Sequence, residues 1–318
     1  MKKNNIVSVS GGKDSTATLL LAIAQETPNL SAVFADTGNE HELTYEYVHY
    51  LEQKTGVKIQ WVKADFSQEI QQKRKYISEK WPLKGVPDEV IETALEVLHP
   101  TGNPYLDLCL WKGRFPSTKA QFCTFELKIS PVFEQCFFPI LDKGELIYSW
   151  QGVRRDESLN RRYLKEFEEV GGGLFNYRPI LKWPALATFE AMSYMGVKPN
   201  PLYSQGCSRV GCFCINSKKG EIRNWSERWP EHIERIAGWE RLVSKASKRG
   251  YVTFFSTPAE DGFTDKDYFE KGNIYQAVEW SKTTRGGGIT ICLLDQQIVK
   301  NALARMVYVG RRVRRRVS

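Results

Sequence analysis

The stretch "NNIVSVSGGKDSTATLLLAIAQ", Asn4 to Gln25, limits the fold more than any other part of the chain. An apolar, β-branched run stops at two adjacent glycines and resumes as a helical pattern from Ser15 to Gln25, with Leu19, Leu20 and Ile23 on one face. Adjacent glycines cost backbone entropy, so this turn must need their freedom or their small size. A glycine-rich turn that opens a helix presents free backbone N–H groups and the positive end of the helix dipole. Ser10, Gly11, Gly12, Lys13, Asp14 and Ser15 therefore read as an anion site, with Lys13 adding a point charge and the serines adding hydroxyl donors. The spacing is not that of the Walker loop, G-x-x-x-x-G-K-[ST].

The same alternation continues downstream. "LSAVFAD" and "VKIQWVKA" are short β-rich runs, separated by a helical pattern from Glu40 to Lys54. The order β-α-β-α-β predicts parallel strands joined by right-handed crossovers. Ligands of such sheets bind beyond the carboxyl ends of the strands. Ser10 to Ser15 and Asp36-Thr37-Gly38 both fall at those ends, so they are expected to share one pocket. "ELIYSWQGVRRDES" reads as a further strand and a basic turn, and a Trp-studded, charged helical region begins near Gly220. "TTRGGG" marks a joint before the last segment, and no internal repeat is present.

Charge and cysteine usage narrow the classes. The net charge is +8, but Arg311, Arg312, Arg314, Arg315 and Arg316 all lie in the final eight residues, and subtracting these five leaves +3. The tail is either a solvated end or an electrostatic grip on nucleic acid. No stretch approaches the roughly 18 apolar residues of a membrane span, and Met1 to Asn5 lead straight into a strand. A cytoplasmic protein without a membrane partner is the expectation. In that compartment the seven cysteines are expected to be reduced, metal-bound or catalytic. Cys109, Cys136 and Cys292 stand in apolar surroundings, whereas Cys207, Cys212 and Cys214 crowd into "QGCSRVGCFCI".

Several of these stretches resemble one family. "SGGKDS" after a strand resembles the PP-loop of ATP pyrophosphatases, which bind ATP and release pyrophosphate while adenylating a substrate. "FADTGNEHELTYEYV" is similar to the second-strand motif of the phosphoadenosine phosphosulfate (PAPS) reductase family. "GVRRDESLNR" resembles that family's Gly-x-Arg-x-x-Glu-Ser-x-x-Arg element. The resemblance implies an α/β fold with a parallel-sheet, adenine nucleotide alpha hydrolase-like (PP-loop, Rossmann-like) core. It also implies nucleotide or acceptor contacts from Asp36, Thr37, Gly38, Gly152, Arg154 and Arg161, with Mg²⁺ and Lys13 offsetting phosphate charge. Lys13, Asp14, Asp36 and Arg154 are the expected catalytic set. Arginine suits bidentate phosphate or sulfate binding, although an ordinary solvated basic turn would carry the same residues.

"FCTFELKISPV" and "NPLYSQGCSRVGCFCI" resemble the paired segments that hold a [4Fe–4S] cluster in adenylylsulfate reductases. Here Cys123 stands alone where that family has two cysteines, Cys212-Phe213-Cys214 is one residue shorter than Cys-x-x-Cys, and Cys207 occupies the position of a Tyr. Cys123, Cys207, Cys212 and Cys214 are thus the expected metal ligands, for a [4Fe–4S] cluster or, alternatively, for Zn²⁺.

The family's Glu-Cys-Gly-x-His nucleophile motif is missing from the chain. Three function classes remain open. The first is ATP-dependent adenylation for sulfur transfer onto nucleic acid or a small acceptor, served by a sulfur or electron donor protein. The second is a sulfonucleotide reductase with a displaced nucleophile such as Cys292. The third is a non-catalytic nucleic-acid-binding protein, in which Trp225, Trp229 and Trp239 either stack on bases or simply pack helices. The expected division is a PP-loop domain over 1–217, a helical extension over 218–285 and a basic segment over 286–318.

Overall fold

The computed structural model describes residues 1–255, 262 and 264–284. Cys292, the arginine tail and the segment 286–318 lie outside them. Six strands form one sheet in the order β3-β2-β1-β4-β6-β5. They are β1 (Lys3–Val9), β2 (Leu30–Asp36), β3 (Ile59–Lys63), β4 (Leu146–Gln151), β5 (Phe167–Gly171) and β6 (Leu174–Tyr177). All neighbours pair in parallel except β5, which runs antiparallel to β6 at the edge. The first half alternates as its pattern predicts: α1 (Lys13–Ala24) follows β1, and α2 (Glu42–Thr55) follows β2.

Period-two alternation assigns each strand two faces. Val7, Val9, Ala32 and Phe34 pack with Leu19, Leu20, Val48 and Leu51. Ile6, Val33 and Ile147 face the other way, with Cys136 and Phe137. The first two turns of α1 are buried all round, Ser15 through Leu20, because the helix lies between the sheet and α9 (Ala185–Tyr194). The one-sided stripe of Leu19, Leu20 and Ile23 therefore understates its burial.

Between β3 and β4 the chain inserts α3 (Ser67–Lys80), α4 (Asp88–Val97), α5 (Pro104–Lys112) and a long helical run. That run consists of α6 (Phe122–Thr124), α7 (Ser130–Val132) and α8 (Phe138–Leu141), joined by wide π-helical turns at Phe125–Ile129 and Phe133–Phe137. After α9 come the short α10 (Pro201–Ser204), then α11 (Lys219–Arg228), α12 (Pro230–Lys245), α13 (Asp265–Gly272) and α14 (Ile274–Lys282). Leu106, Leu110, Ile222, Trp225, Ile236, Val243 and Val278 share one apolar cluster, so α11, α12 and α14 bury their faces against the inserted helices. Trp225 and Trp239 are 4% and 7% exposed, which makes them packing residues and leaves no face for a base. Among the described residues, no helix is long and apolar enough to cross a membrane.

Candidate functional site

The chain leaves β1 toward β2 on one side, while β4 flanks β1 on the other, so the crevice beyond these strand ends is where the sheet order reverses. The loops after β1 and β4 meet there. Gly11 has φ +72°, in the left-handed region, and a Cβ on it would lie 2.9 Å from Thr44 Cγ2. Gly12 is the extended N-cap of α1. Gly152 is held against the start of α1 so closely that a Cβ would lie 2.6 Å from Ser15 N and 2.7 Å from Asp14 C. Only glycine lets the β4 loop touch the helix terminus in this way.

The loop is closed by side chains as well. Ser15 Oγ accepts from Ser10 N at 3.1 Å and donates to the Gly12 carbonyl at 3.1 Å. Lys13 N donates to Tyr203 Oη at 2.9 Å, and Asn200 Nδ2 donates to the Gly11 carbonyl at 3.2 Å. Asn200 and Tyr203 belong to the "NPLY" segment, which the sequence resemblance tied only to cysteines.

Charges surround the helix terminus in pairs. Lys13 Nζ lies 3.2 Å from Asp14 Oδ2. Arg154, 4% exposed, reaches Asp14 and Asp156, both at 2.5 Å, with Glu157 at 4.0 Å. Arg161 is paired with Glu157. Arg161's pKa is lowered by partial burial and by the nearby cations Arg209 and Arg154, against the pull of Asp14. The structure thus gathers Asp14, Arg154 and Arg161 around the loop and adds Arg209, a residue that only the tertiary arrangement brings there. Arg155 turns away to the Leu164 carbonyl.

Asp36 sits beyond β2 as expected, with its Oδ1 accepting from Gly38 N at 2.9 Å and from Tyr45 Oη at 2.7 Å. Thr37 is buried and donates through N and Oγ1 to Glu40, at 3.1 and 2.7 Å. Glu40's pKa is raised by burial, with Lys128 opposing. The Gly38 carbonyl is held by Asn103 Nδ2 at 2.6 Å.

The cysteine loop is stitched to this same wall. Glu40 bridges Cys212, His41 N donates to the Gly211 carbonyl at 2.9 Å, and Asn39 Nδ2 donates to the Phe213 carbonyl at 3.1 Å. Cys123, Cys212 and Cys214 are half-buried and face Lys128. Desolvation works against the Lys128 charge, but Cys212, Glu40, Cys214 and Cys123 together raise its pKa. A hydrogen bond from Cys212 lowers the Cys214 thiol to about 6, and the same bond raises Cys212. Cys207 is placed differently: it is buried, 3.7 Å from Asn224 Nδ2 on α11. Cys109 and Cys136 are buried among apolar side chains.

The chemistry of these donors bears on the metals expected from the sequence. A tetrahedral zinc with Zn–S bonds of about 2.3 Å draws its thiolates to within roughly 4 Å of one another. Among the described residues, the group whose ligand atoms lie within 4.8 Å is His41, Glu42 and His232, and no cysteine belongs to it. The thiols of Cys123, Cys212 and Cys214 therefore do not stand at the mutual distances of a zinc site.

The histidine group is itself closed. His41 Nδ1 accepts from Leu43 N at 3.1 Å, and His232 Nδ1 faces Arg235 at 2.5 Å. Both rings then carry their proton on Nε2, and His232 gives its proton to Glu42 at 2.9 Å. His41 Nε2 has no hydrogen-bond partner among the described residues, and its ring packs at a steep angle to Trp229, 4.5 Å between centroids. The group ties α2 to α12.

A mostly parallel sheet with a glycine-rich loop opening α1 at its switch point defines an α/β protein of the doubly wound kind. The model of the phosphoadenosine phosphosulfate reductase domain matches residues 4–218, and the chain belongs to that family. An uncharacterized 37.8 kDa protein of Escherichia phage 186 is 49% identical over 300 residues, covering 89% of each chain. Adenosine 5'-phosphosulfate reductase of Mesorhizobium japonicum is 24% identical over 239 residues, 74% of this chain and 76% of that one. A solved phosphoadenylyl-sulfate reductase from Candida auris aligns with a TM-score of 0.41 at 16% identity, over 66% of this chain and 81% of the other.

Proposed function

We propose that this protein uses ATP to adenylate an acceptor, with pyrophosphate leaving from the loop Ser10 to Ser15, and that the adenylated acceptor is then thiolated. The observation that carries this reading is the α1 terminus itself. Gly12 caps it, Gly152 presses on it, and Lys13, Arg154, Arg161 and Arg209 converge there. An acceptor oxygen attacks the α-phosphorus of ATP, a new P–O bond forms, and the bond to pyrophosphate breaks. Backbone N–H groups and Lys13 stabilise the charge that develops on the leaving group, and bound Mg²⁺ supplies further neutralisation. Asp14 orients Arg154 in this scheme, and Asp36, Thr37 and Gly38 line the adenosine side with Gly152.

Cys123, Cys212 and Cys214 would hold a [4Fe–4S] cluster, which supplies sulfur or electrons when bound; Cys207, expected as the fourth ligand, is buried toward Asn224 and would have to turn to join them. Lys128 offsets the thiolate charge. The catalytic unit in this reading is 1–217, with 218–285 as a helical layer against it and 286–318 as a basic segment.

The test is anaerobic purification followed by incubation with ATP. The wild type should release pyrophosphate and carry about four irons per chain. Lys13→Ala should abolish the release while keeping the iron. Serine at Cys123, Cys212 or Cys214 should remove the iron, and serine at Cys109 or Cys136 should spare it. Unchanged pyrophosphate release in Lys13→Ala would sink the phosphate-site assignment. The 24% identical relative bears the name of a reductase. Thiol-dependent sulfite release from adenylylsulfate, with no pyrophosphate from ATP, would establish reduction instead.

A further inference from the structure

We propose that a second cleft, formed by α3, residues 112–117, residues 246–254 and α13, binds single-stranded nucleic acid. Its volume is about 720 Å³, and no residue of the phosphate loop lines it. Lys73, Lys112, Arg114, Lys248 and Arg249 line it, against a single carboxylate among the described residues, Asp265.

Most of these cations gather in one cleft without counter-charge. Lys112 has Glu126 at 2.9 Å. Among the described residues, Lys73, Arg114, Lys248 and Arg249 have no carboxylate within the 4.0 Å of an ion pair. Lys73 is half-buried over the Trp81 ring at 6.0 Å, and burial lowers its pKa. A cation drawn out of water without a partner is costly, and a phosphate placed in the cleft supplies the missing anion.

The second half of the signature is aromatic. Tyr76 and Tyr251, 42% and 40% exposed, stand in the cleft wall. Lys84 Nζ holds the Tyr76 hydroxyl at 2.6 Å, and Tyr251 leans on Phe269 at 6.0 Å. Rings fixed beside cations offer π-faces to unstacked bases, which a single strand has and a duplex or an acidic peptide lacks. The cavity size suits a short stretch of strand, within the range of sites that enclose small ligands. This inference stands independently of the adenylation reading, because the two sites share no residue.

The experiment uses the full chain and fluorescent oligo-dT and oligo-U of about a dozen nucleotides, read by anisotropy between about 50 and 200 mM salt. A duplex of equal length and a polyglutamate peptide are the competing probes. Lys248→Glu with Arg249→Glu changes only exposed side chains and should weaken single-strand binding by about tenfold or more. Its slope of log affinity against log salt should be shallower by about 0.7 for each phosphate that no longer meets a cation. Tyr251→Ala should weaken binding by about fivefold or more. ATP-dependent pyrophosphate release should match the wild type in both variants. Replacing Arg311, Arg312, Arg314, Arg315 and Arg316 by Ala separates the tail from the cleft. Unchanged affinity in the cleft variants, weakening confined to the tail variant, or equal or tighter binding of duplex or polyglutamate would each overturn the proposal.

Discussion

The loop Ser10 to Ser15 and the basic cleft are both proposed anion sites, but they are built in opposite ways. At the loop the backbone does most of the work, and its cations are already paired: Lys13 and Arg154 with Asp14, Arg161 with Glu157. In the cleft the charge comes from side chains, and among the described residues four of its five cations stand without a carboxylate. A paired site is shaped before its ligand arrives and selects by geometry. An unpaired one holds its charge in reserve and takes phosphate with less regard to shape.

The largest effect should come from breaking the loop's geometry. Gly152→Val places side-chain atoms where Ser15 N and Asp14 C already stand. Overpacking of this kind costs about 1–3 kcal/mol, and if the α1 terminus shifts to relieve it, that cost falls on ATP binding as a loss of about fivefold to a hundredfold. Titration calorimetry with ATP would show it, and oligonucleotide binding should not change. An equal fall for both ligands would mean that the two regions are one site.

Removing the loop's internal compensation should cost less. Arg154→Ala leaves Asp14 with only Lys13 as a partner, which should destabilise the fold by about 1–2 kcal/mol in denaturant titrations. Adding Asp14→Asn should recover part of that stability. If the double variant is no more stable than the single one, the pair is not the stabilising unit.

The smallest effect concerns the cleft wall. Glu240, 1% exposed, accepts the backbone N–H of Phe254 at 2.7 Å and of Ile274 at 2.9 Å. Burial raises its pKa from 4.5 to about 7. The folded state therefore binds the proton more tightly than the unfolded chain. The stability this contributes is fully present below pH 4.5 and is lost as pH rises through about 7. Between about pH 6 and 8 the wild type should lose roughly 1 kcal/mol relative to Glu240→Gln, which does not titrate. Parallel pH profiles in thermal melting would mean that Glu240 does not govern this pH dependence.

The same contrast explains what the sequence discloses. β1, β2, β3, α1 and α2 are legible because each is a local periodic pattern, and the loop is legible because backbone sites are written in consecutive residues. Thr37 and Gly152 follow from those motifs. Arg209, Lys128, Asn200 and Tyr203 do not: they reach the site from segments far away along the chain, and no local signal separates them from surface or core residues. The cleft is less legible still, since its cations come from residues 73, 112, 114, 248 and 249 and its rings from 76 and 251. The tryptophans of α11 and α12 stand out by their number, yet their spacing serves helix packing.

The two wide turns at Phe125–Ile129 and Phe133–Phe137 set a rotational phase. Both lie in one continuous helical run from Phe122 to Leu141, which carries Cys123 in its first turn and anchors Cys136 and Phe137 under the sheet. A π turn takes up a residue that an α-helix would have no room for, and one residue corresponds to about 100° of helix rotation. Deleting one residue from either turn would convert it to ordinary α-helix and keep Cys123 in phase with the sheet contacts, whereas deleting one from an α-helical stretch of the run would swing Cys123 by about 100°. The two turns thus hold the thiol's bearing at a distance from the thiol itself.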